Sequence, residues 1–257
     1  MIAAASRSQR RSLLGWVPST PITSRSKRTL LIELAVVTVV VFGTATVSAV
    51  IDLAGRLLNV PVGVSFFVVA LPGNEGLAVA LGCAYLVVRM GAVIGLVAYV
   101  LRRSGESFRV LGLSVSGKRR DLMLIAPFAA LAIGLQHVGF LLPHPGPSAG
   151  GQLTAPSLYA VTGVLRSLES GIVEELIVLA FVLTRLRQLG VHPLAAVLIS
   201  ALIRASYHLE YGWAAAGPLL FGVGLGLMYV ASRRLLPAIA VHAGYDVWAT
   251  FQNFQFV

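Results

Sequence analysis

Apolar residues run along this chain in long blocks separated by short polar or basic stretches. A block of about 20 apolar residues is long enough to cross roughly 30 Å of hydrocarbon as a helix. Seven such blocks occur, near residues 29–51, 77–101, 121–143, 160–184, 193–209, 215–232 and 235–253. The last three are short and closely spaced, which predicts a tight series of helical hairpins. Residues 60–71 form a further apolar stretch, with Pro61 and Pro72 at its ends. It is too short to span and reads as a re-entrant or interfacial segment. The pattern therefore predicts an all-α, polytopic membrane bundle of about seven transmembrane helices. Its expected parts are a basic tail over 1–28, N-terminal transmembrane helices over 29–155 and a helical core over 156–257.

Composition strengthens this reading. Apolar residues make up 57% of the chain and charged residues only 12%, about half the charge of an ordinary soluble domain. So little polar surface excludes disorder, a disulfide scaffold and almost every soluble enzyme fold. The lone cysteine, Cys83, sits in an apolar run and reads as packing. The net charge of +10 invites a nucleic-acid reading, but the basic residues fall between the apolar blocks, as membrane topology requires. A lipid bilayer is the expected partner, and no nucleic acid.

Those basic residues also orient the chain. They cluster at Arg7, Arg10, Arg11, Arg25, Lys27 and Arg28; at Arg102, Arg103, Arg109, Lys118, Arg119 and Arg120; at Arg185 and Arg187; and at Arg233 and Arg234. With seven spans, all four clusters fall on one side, which the positive-inside rule makes cytoplasmic. The expectation is an N-in, C-out multi-pass protein of the plasma membrane. The longest apolar stretch of the tail covers only residues 13–17, too short for a secretory signal. The tail reads as a disordered, retained cytoplasmic anchor.

Ionisable side chains inside spans cost several kcal/mol unless paired or facing a cavity, so each one is a functional candidate. They are Glu33, Arg89, His137, Arg166, Glu169, Glu174, Glu175, Arg204, His208, His242 and Asp246. Glu33 with Arg89, and Arg166 with Glu169, read as structural pairs, and His137 as a core hydrogen-bonder. Three segments of the C-terminal half carry the rest. Residues 169–175 read Glu-Ser-Gly-Ile-Val-Glu-Glu, and Ser167, Gly171 and Glu174 share a face with room for a close helix neighbour. Residues 204–208 read Arg-Ala-Ser-Tyr-His, and 242–246 read His-Ala-Gly-Tyr-Asp. In each of these the end residues are one turn apart on one face. Counting helix rise from the nearest basic cluster or span start puts all three segments at a similar depth, about 12–20 Å. Three polar motifs at one level predict a hydrophilic pocket. Its carboxylates and imidazoles suit water activation or a divalent ion. Gly217, Gly222, Gly224 and Gly226 form a small-residue packing face.

The ordered set Glu174-Glu175, x-x-x-His208 and His242-x-x-x-Asp246 resembles the CPBP (Abi) intramembrane proteases, related to type II CAAX prenyl endopeptidases, over about residues 156–250. The resemblance implies an intramembrane endopeptidase acting on a membrane-associated peptide or protein substrate. Glu174 would be the base that activates water, beside Glu175. His208 and His242 would hold the water and polarise the scissile carbonyl, and Asp246 would stand where the family uses Asn or Asp. A divalent metal such as zinc, if used, would fall to His208, His242 and Asp246. Two positions depart from the pattern. Leu179 replaces the Arg of Glu-Glu-x-x-x-Arg, and Arg204 replaces the Phe of Phe-x-x-x-His. One cation lost and one gained predicts that Arg204 restores charge balance beside Glu174 or Glu175, as a further site residue. The rival readings are an inactive scaffold or immunity-like relative and, behind it, an ion-coupled transporter.

Overall fold

The computed structural model describes residues 27–58, 73–113, 117–142 and 156–253, with the side chains of 156–159 and Asn253 left aside. The tail before residue 27 and the whole of the expected re-entrant segment lie outside the described residues. Among those described, every regular element is a helix. They are α1 (Lys27–Leu57), α2 (Glu75–Arg103), α3 (Lys118–Phe140), α4 (Pro156–Glu174), α5 (Val182–Gln188), α6 (Pro193–Ser206), α7 (Ala216–Ser232) and α8 (Leu236–Asn253). A π-helical stretch, Glu175–Phe181, joins α4 to α5 without a break, so the described residues make seven rods.

Among the described residues four helices are long and apolar enough to cross a membrane: Lys27–Leu57, Glu75–Arg103, Lys118–Phe140 and Leu209–Ser232, the last including the 3₁₀ turn before α7. Their surroundings differ. In the most apolar stretch of the first three only 17–22% of residues are buried, against 61% in the fourth. The outward faces of α1 and α2 show Val39, Val40, Leu57, Val87 and Val88, an apolar surface that suits lipid and not water. α7 is the central rod, and its glycines explain why. A Cβ on Gly224 would stand 2.7 Å from the Ala132 Cα, and one on Gly226 2.7 Å from Val197. Small residues thus let α3 and α6 approach the α7 backbone. Gly171 does the same for α4, where a Cβ would stand 2.8 Å from the Ala243 backbone nitrogen of α8.

The described members of the basic clusters that bracket the rods gather at one end of the bundle. Arg234, between α7 and α8, is bonded to Asp121 in the first turn of α3. The Leu235 N–H donates to the Gly112 carbonyl, 3.4 Å. Gly112 has φ of 75° and its Cβ would meet the Arg233 carbonyl at 2.7 Å, so only glycine fits there. Buried Arg185 of α5 donates to Glu106 after α2 at 2.6 Å and pairs with Glu33 near the start of α1 at 3.3 Å. The start of α1, the α2–α3 connection, the α5–α6 turn and the α7–α8 turn therefore share this basic end. That is the alternation seven rods require. At the far end α7 begins against the end of α3, Gly217 beside Phe140.

Candidate active site

The three polar segments meet inside the bundle, between α4, α6 and α8. The close α4–α8 approach at Gly171 brings residues 170–175 against 242–246. Glu174 ends the regular α-helix and Glu175 opens the π-helical stretch. A π register widens the helix and leaves carbonyls short of their usual partners. Within that stretch the Val178 carbonyl accepts a 2.5 Å bond from Ser200 Oγ of α6, which fastens α6 beside the carboxylates.

Arg204 bridges the pair. Its Nη1 donates to Glu174 Oε2 at 2.9 Å and its Nη2 to Glu175 Oε1 at 2.5 Å. The guanidinium lies 5.6 Å from the centroid of the Phe221 ring. Gly222 leaves space for its stem, since a Cβ there would press on Arg204 Cδ at 3.2 Å. Leu179 lies in the packed core of the π stretch. The cation that the resemblance would place there therefore sits on α6 instead, in contact with both acids.

Around Glu174 two more donors converge. Tyr207 Oη donates to Oε2 at 2.7 Å, and Ser170 Oγ stands 3.1 Å from both Glu174 Oε1 and Asp246 Oδ2. Ser170 has one proton, so it serves either carboxylate. His242 points Nδ1 at Glu175 Oε1, 2.6 Å, and Nε2 towards Asp246 Oδ2, 3.4 Å, while the Phe221 ring meets its edge at 5.3 Å. The contacts close into a circuit: Glu174, Ser170, Asp246, His242, Glu175, Arg204 and back to Glu174. Glu175 Oε2 and Arg204 Nε are buried without a hydrogen-bond partner.

His208 stands apart from that circuit. It follows the end of α6, stacks on Tyr211 at 5.5 Å, lies against Tyr207 at 4.8 Å and faces Glu210 across 3.6 Å. It remains within electrostatic reach of Glu174. With both His242 nitrogens directed at carboxylates, that ring keeps no lone pair for a metal in this arrangement. Among the described residues no group of three His, Cys, Asp or Glu is placed to hold one. The residues as arranged do not fit a resident metal, and the set His208, His242 and Asp246 is not assembled as ligands.

Several pairings differ from expectation. Arg89 of α2 bonds to Glu169, and Glu33 reaches Arg185. Arg166 lies exposed, within electrostatic reach of Glu169. His137 is exposed too, with its ring edge-on to Tyr245 of α8 at 6.3 Å, and satisfies its Nδ1–H on the Ile133 carbonyl one turn back, 2.8 Å. Other contributors carry no ionisable group, so buried charge in the sequence does not mark them. Ser170 is the clearest case, although its place one turn before Glu174 was visible. From α1, Phe42 stacks on Tyr207 at 4.6 Å and Thr46 Oγ1 lies 3.3 Å from Ser206 Oγ. Nothing in the α1 sequence marks those two residues.

No curated protein and no solved structure matches the chain. A family does, over the segment that builds this site: residues 155–248 match the family described as Type II CAAX prenyl endopeptidase Rce1-like.

Proposed function

We propose that the protein is an intramembrane endopeptidase in which Glu174 activates the water that attacks a peptide bond of a membrane-associated substrate. The observation that carries this reading is the Glu174 carboxylate itself. It is held by Arg204, Tyr207 and Ser170 next to a His–Asp pair, inside a segment that matches a protease family. Those donors fix the carboxylate's orientation, which a base must have before substrate arrives.

In the proposed reaction Glu174 takes one proton from water as the water oxygen bonds to the carbonyl carbon. The carbonyl becomes an oxyanion, which a donor on the open side of Glu174 stabilises. The partly exposed His208 ring is the group on that side, while the buried Tyr207 hydroxyl keeps its proton on Glu174 Oε2. When the carbon–nitrogen bond breaks, the proton held by Glu174 passes to the leaving amine. The carboxylate is regenerated and the two products carry the atoms of one water. Glu175 and Arg204 act as positioning residues for Glu174. Asp246 orients His242 from one nitrogen while Glu175 holds the other. The step uses no metal.

A second reading rests on the same clamp. Arg204 occupies both carboxylates, and Leu179 stands where the family has an arginine, which fits an inactive scaffold of the same architecture. Peptide-library cleavage in liposomes separates the two. Wild type is expected to cleave with or without chelator, and Glu174→Ala to lose cleavage. Loss on chelation would assign a metal to a rearranged His208, His242 and Asp246. No cleavage by wild type across the library would favour the scaffold.

A further inference from the structure

Tyr207 holds Glu174 from a place that its own helix does not secure. α6 ends at Ser206, and Tyr207 is the first residue past it, with φ of −95° and ψ of 14°. The chain then leaves through the 3₁₀ turn Leu209–Ala215, broken at Gly212 by φ of 61° and ψ of −131°. With no regular helix on its C-terminal side, the Tyr207 ring lies where neighbouring side chains put it. Those neighbours reach it from rods outside the segment that matches the protease family. Phe42 of α1 stacks on the ring, centroids 4.6 Å apart and planes 12° from parallel. Tyr207 in turn lies 4.8 Å from His208, His208 5.5 Å from Tyr211, and Tyr211 6.5 Å from Phe140 of α3. A row of rings therefore crosses the end of α6, from α1 on one side to α3 on the other.

α1 is itself fixed at two heights. Near the basic end Glu33 pairs with Arg185 at 3.3 Å. About 13 Å farther along the helix, Phe42 and Thr46 begin a second contact, one turn apart on one face. Ser206 Oγ gives its proton to the Ile203 carbonyl at 2.7 Å. At its 3.3 Å contact with Thr46 Oγ1 the threonine hydroxyl is therefore the donor and Ser206 the acceptor. The stack and this bond together seat residues 206 and 207 against α1. Phe42 and Tyr207 are both buried, so close packing leaves neither ring room to turn. The Tyr207 hydroxyl, carried on the ring that Phe42 covers, donates to Glu174 Oε2 at 2.7 Å.

We infer that Phe42 is a positioning residue for the reaction at Glu174. By stacking on Tyr207 it keeps that hydroxyl aimed at Glu174 Oε2, so the site is complete only with α1 in place. The role in catalysis rests on the hydrolase reading above; the seating of residues 206 and 207 against α1 does not.

A double-mutant cycle of Phe42→Leu and Tyr207→Phe, read in liposomes as KM and as kcat per folded molecule, separates positioning from packing. Phe42→Leu removes the stacked ring, whereas Tyr207→Phe removes only the hydroxyl. Tyr207→Phe is expected to lower kcat by about 10–100-fold, the usual contribution of one hydrogen bond to a charged group. Phe42→Leu is expected to lower kcat by about 3–10-fold, the usual contribution of one stacked aromatic pair, with KM unchanged in both. In the Tyr207→Phe background the same Phe42→Leu change is expected to lower kcat by less than about 2-fold, since the two residues act through one bond. Val37→Ala, at another buried position of α1, serves as the packing control and keeps the wild-type kcat. Equal losses from Phe42→Leu in both backgrounds, no loss in either, or a matching loss in Val37→Ala overturns the inference.

A cysteine pair tests the placement of α1 without any assay of cleavage. In a Cys83→Ser chain, Thr46→Cys with Ser206→Cys is expected to form a disulfide on mild oxidation, counted as thiols that reductant restores after denaturation. No disulfide overturns the inference whatever the kinetics. A disulfide in a protein whose wild type cleaves nothing keeps α1 against residue 206 but removes the hydrolase reading, and the role of Phe42 falls with it.

Discussion

Two buried arginines divide the molecule's chemistry between them. Arg185, near the basic end, and Arg204, at the level of the polar motifs, each bridge two carboxylates and each lie against an aromatic ring. The partners of Arg185 are drawn from α1, the segment after α2 and α5 itself, and Gln188 adds an amide to both Arg185 and Glu106. That cluster ties three elements together and leads nowhere. The partners of Arg204 are adjacent residues at one helix junction, and Tyr207, Ser170 and His242 continue the network to the partly exposed Asp246. A buried ion pair alone is therefore no sign of catalysis. What distinguishes Arg204 is the further set of donors and acids, Tyr207, Ser170, His242 and Asp246, around its two carboxylates.

Substitutions at the two arginines sharpen the contrast. Arg185→Met leaves Glu33 and Glu106 without their cation, and breaking a buried pair from one side costs about 3–5 kcal/mol. Unfolding in detergent micelles is expected to show that loss, while the fraction that remains folded cleaves at the wild-type rate. Arg204→Phe removes the clamp from Glu174 and Glu175 and is expected to cripple cleavage, with Leu179→Arg in that background restoring it. Cleavage unchanged in Arg204→Phe would remove Arg204 from the site. Between the regions, Gly224→Val forces α3 away from α7 and is expected to cost about 1–3 kcal/mol by overpacking, read as a lower melting temperature in both clusters' presence. At the small end, His137→Ala touches an exposed ring and is expected to shift stability by no more than about 0.5 kcal/mol.

The rods were legible because hydropathy reports length, and length is what a bilayer constrains. The meeting of Glu174, Arg204, His242 and Asp246 was legible for the same reason, since helix rise converts residue number into height, whereas His208 stands apart from their circuit. Which charge meets which was not. Arg89 bonds to Glu169, and Glu33 to Arg185, because pairing between rods depends on their rotation and order in the bundle, which height alone does not determine. The Arg204 contact with both acids was readable as a charge compensated within one set of motifs. The π-helical stretch after Glu174 left no such trace, nor did the stacking of Phe42 on Tyr207. Both arise from packing against other rods.

The central claim is that Glu174 is the base. Its most direct test is the cleavage rate of one susceptible peptide in liposomes, with wild type and Glu174→Gln reconstituted at equal amounts and chelator present throughout. The isosteric amide keeps the shape of the carboxylate and cannot take the proton. The expected result is a rate lower by about 10²–10⁴, the usual contribution of a general base, with both proteins equally folded. A Glu174→Gln protein that cleaves as fast as wild type would contradict the account.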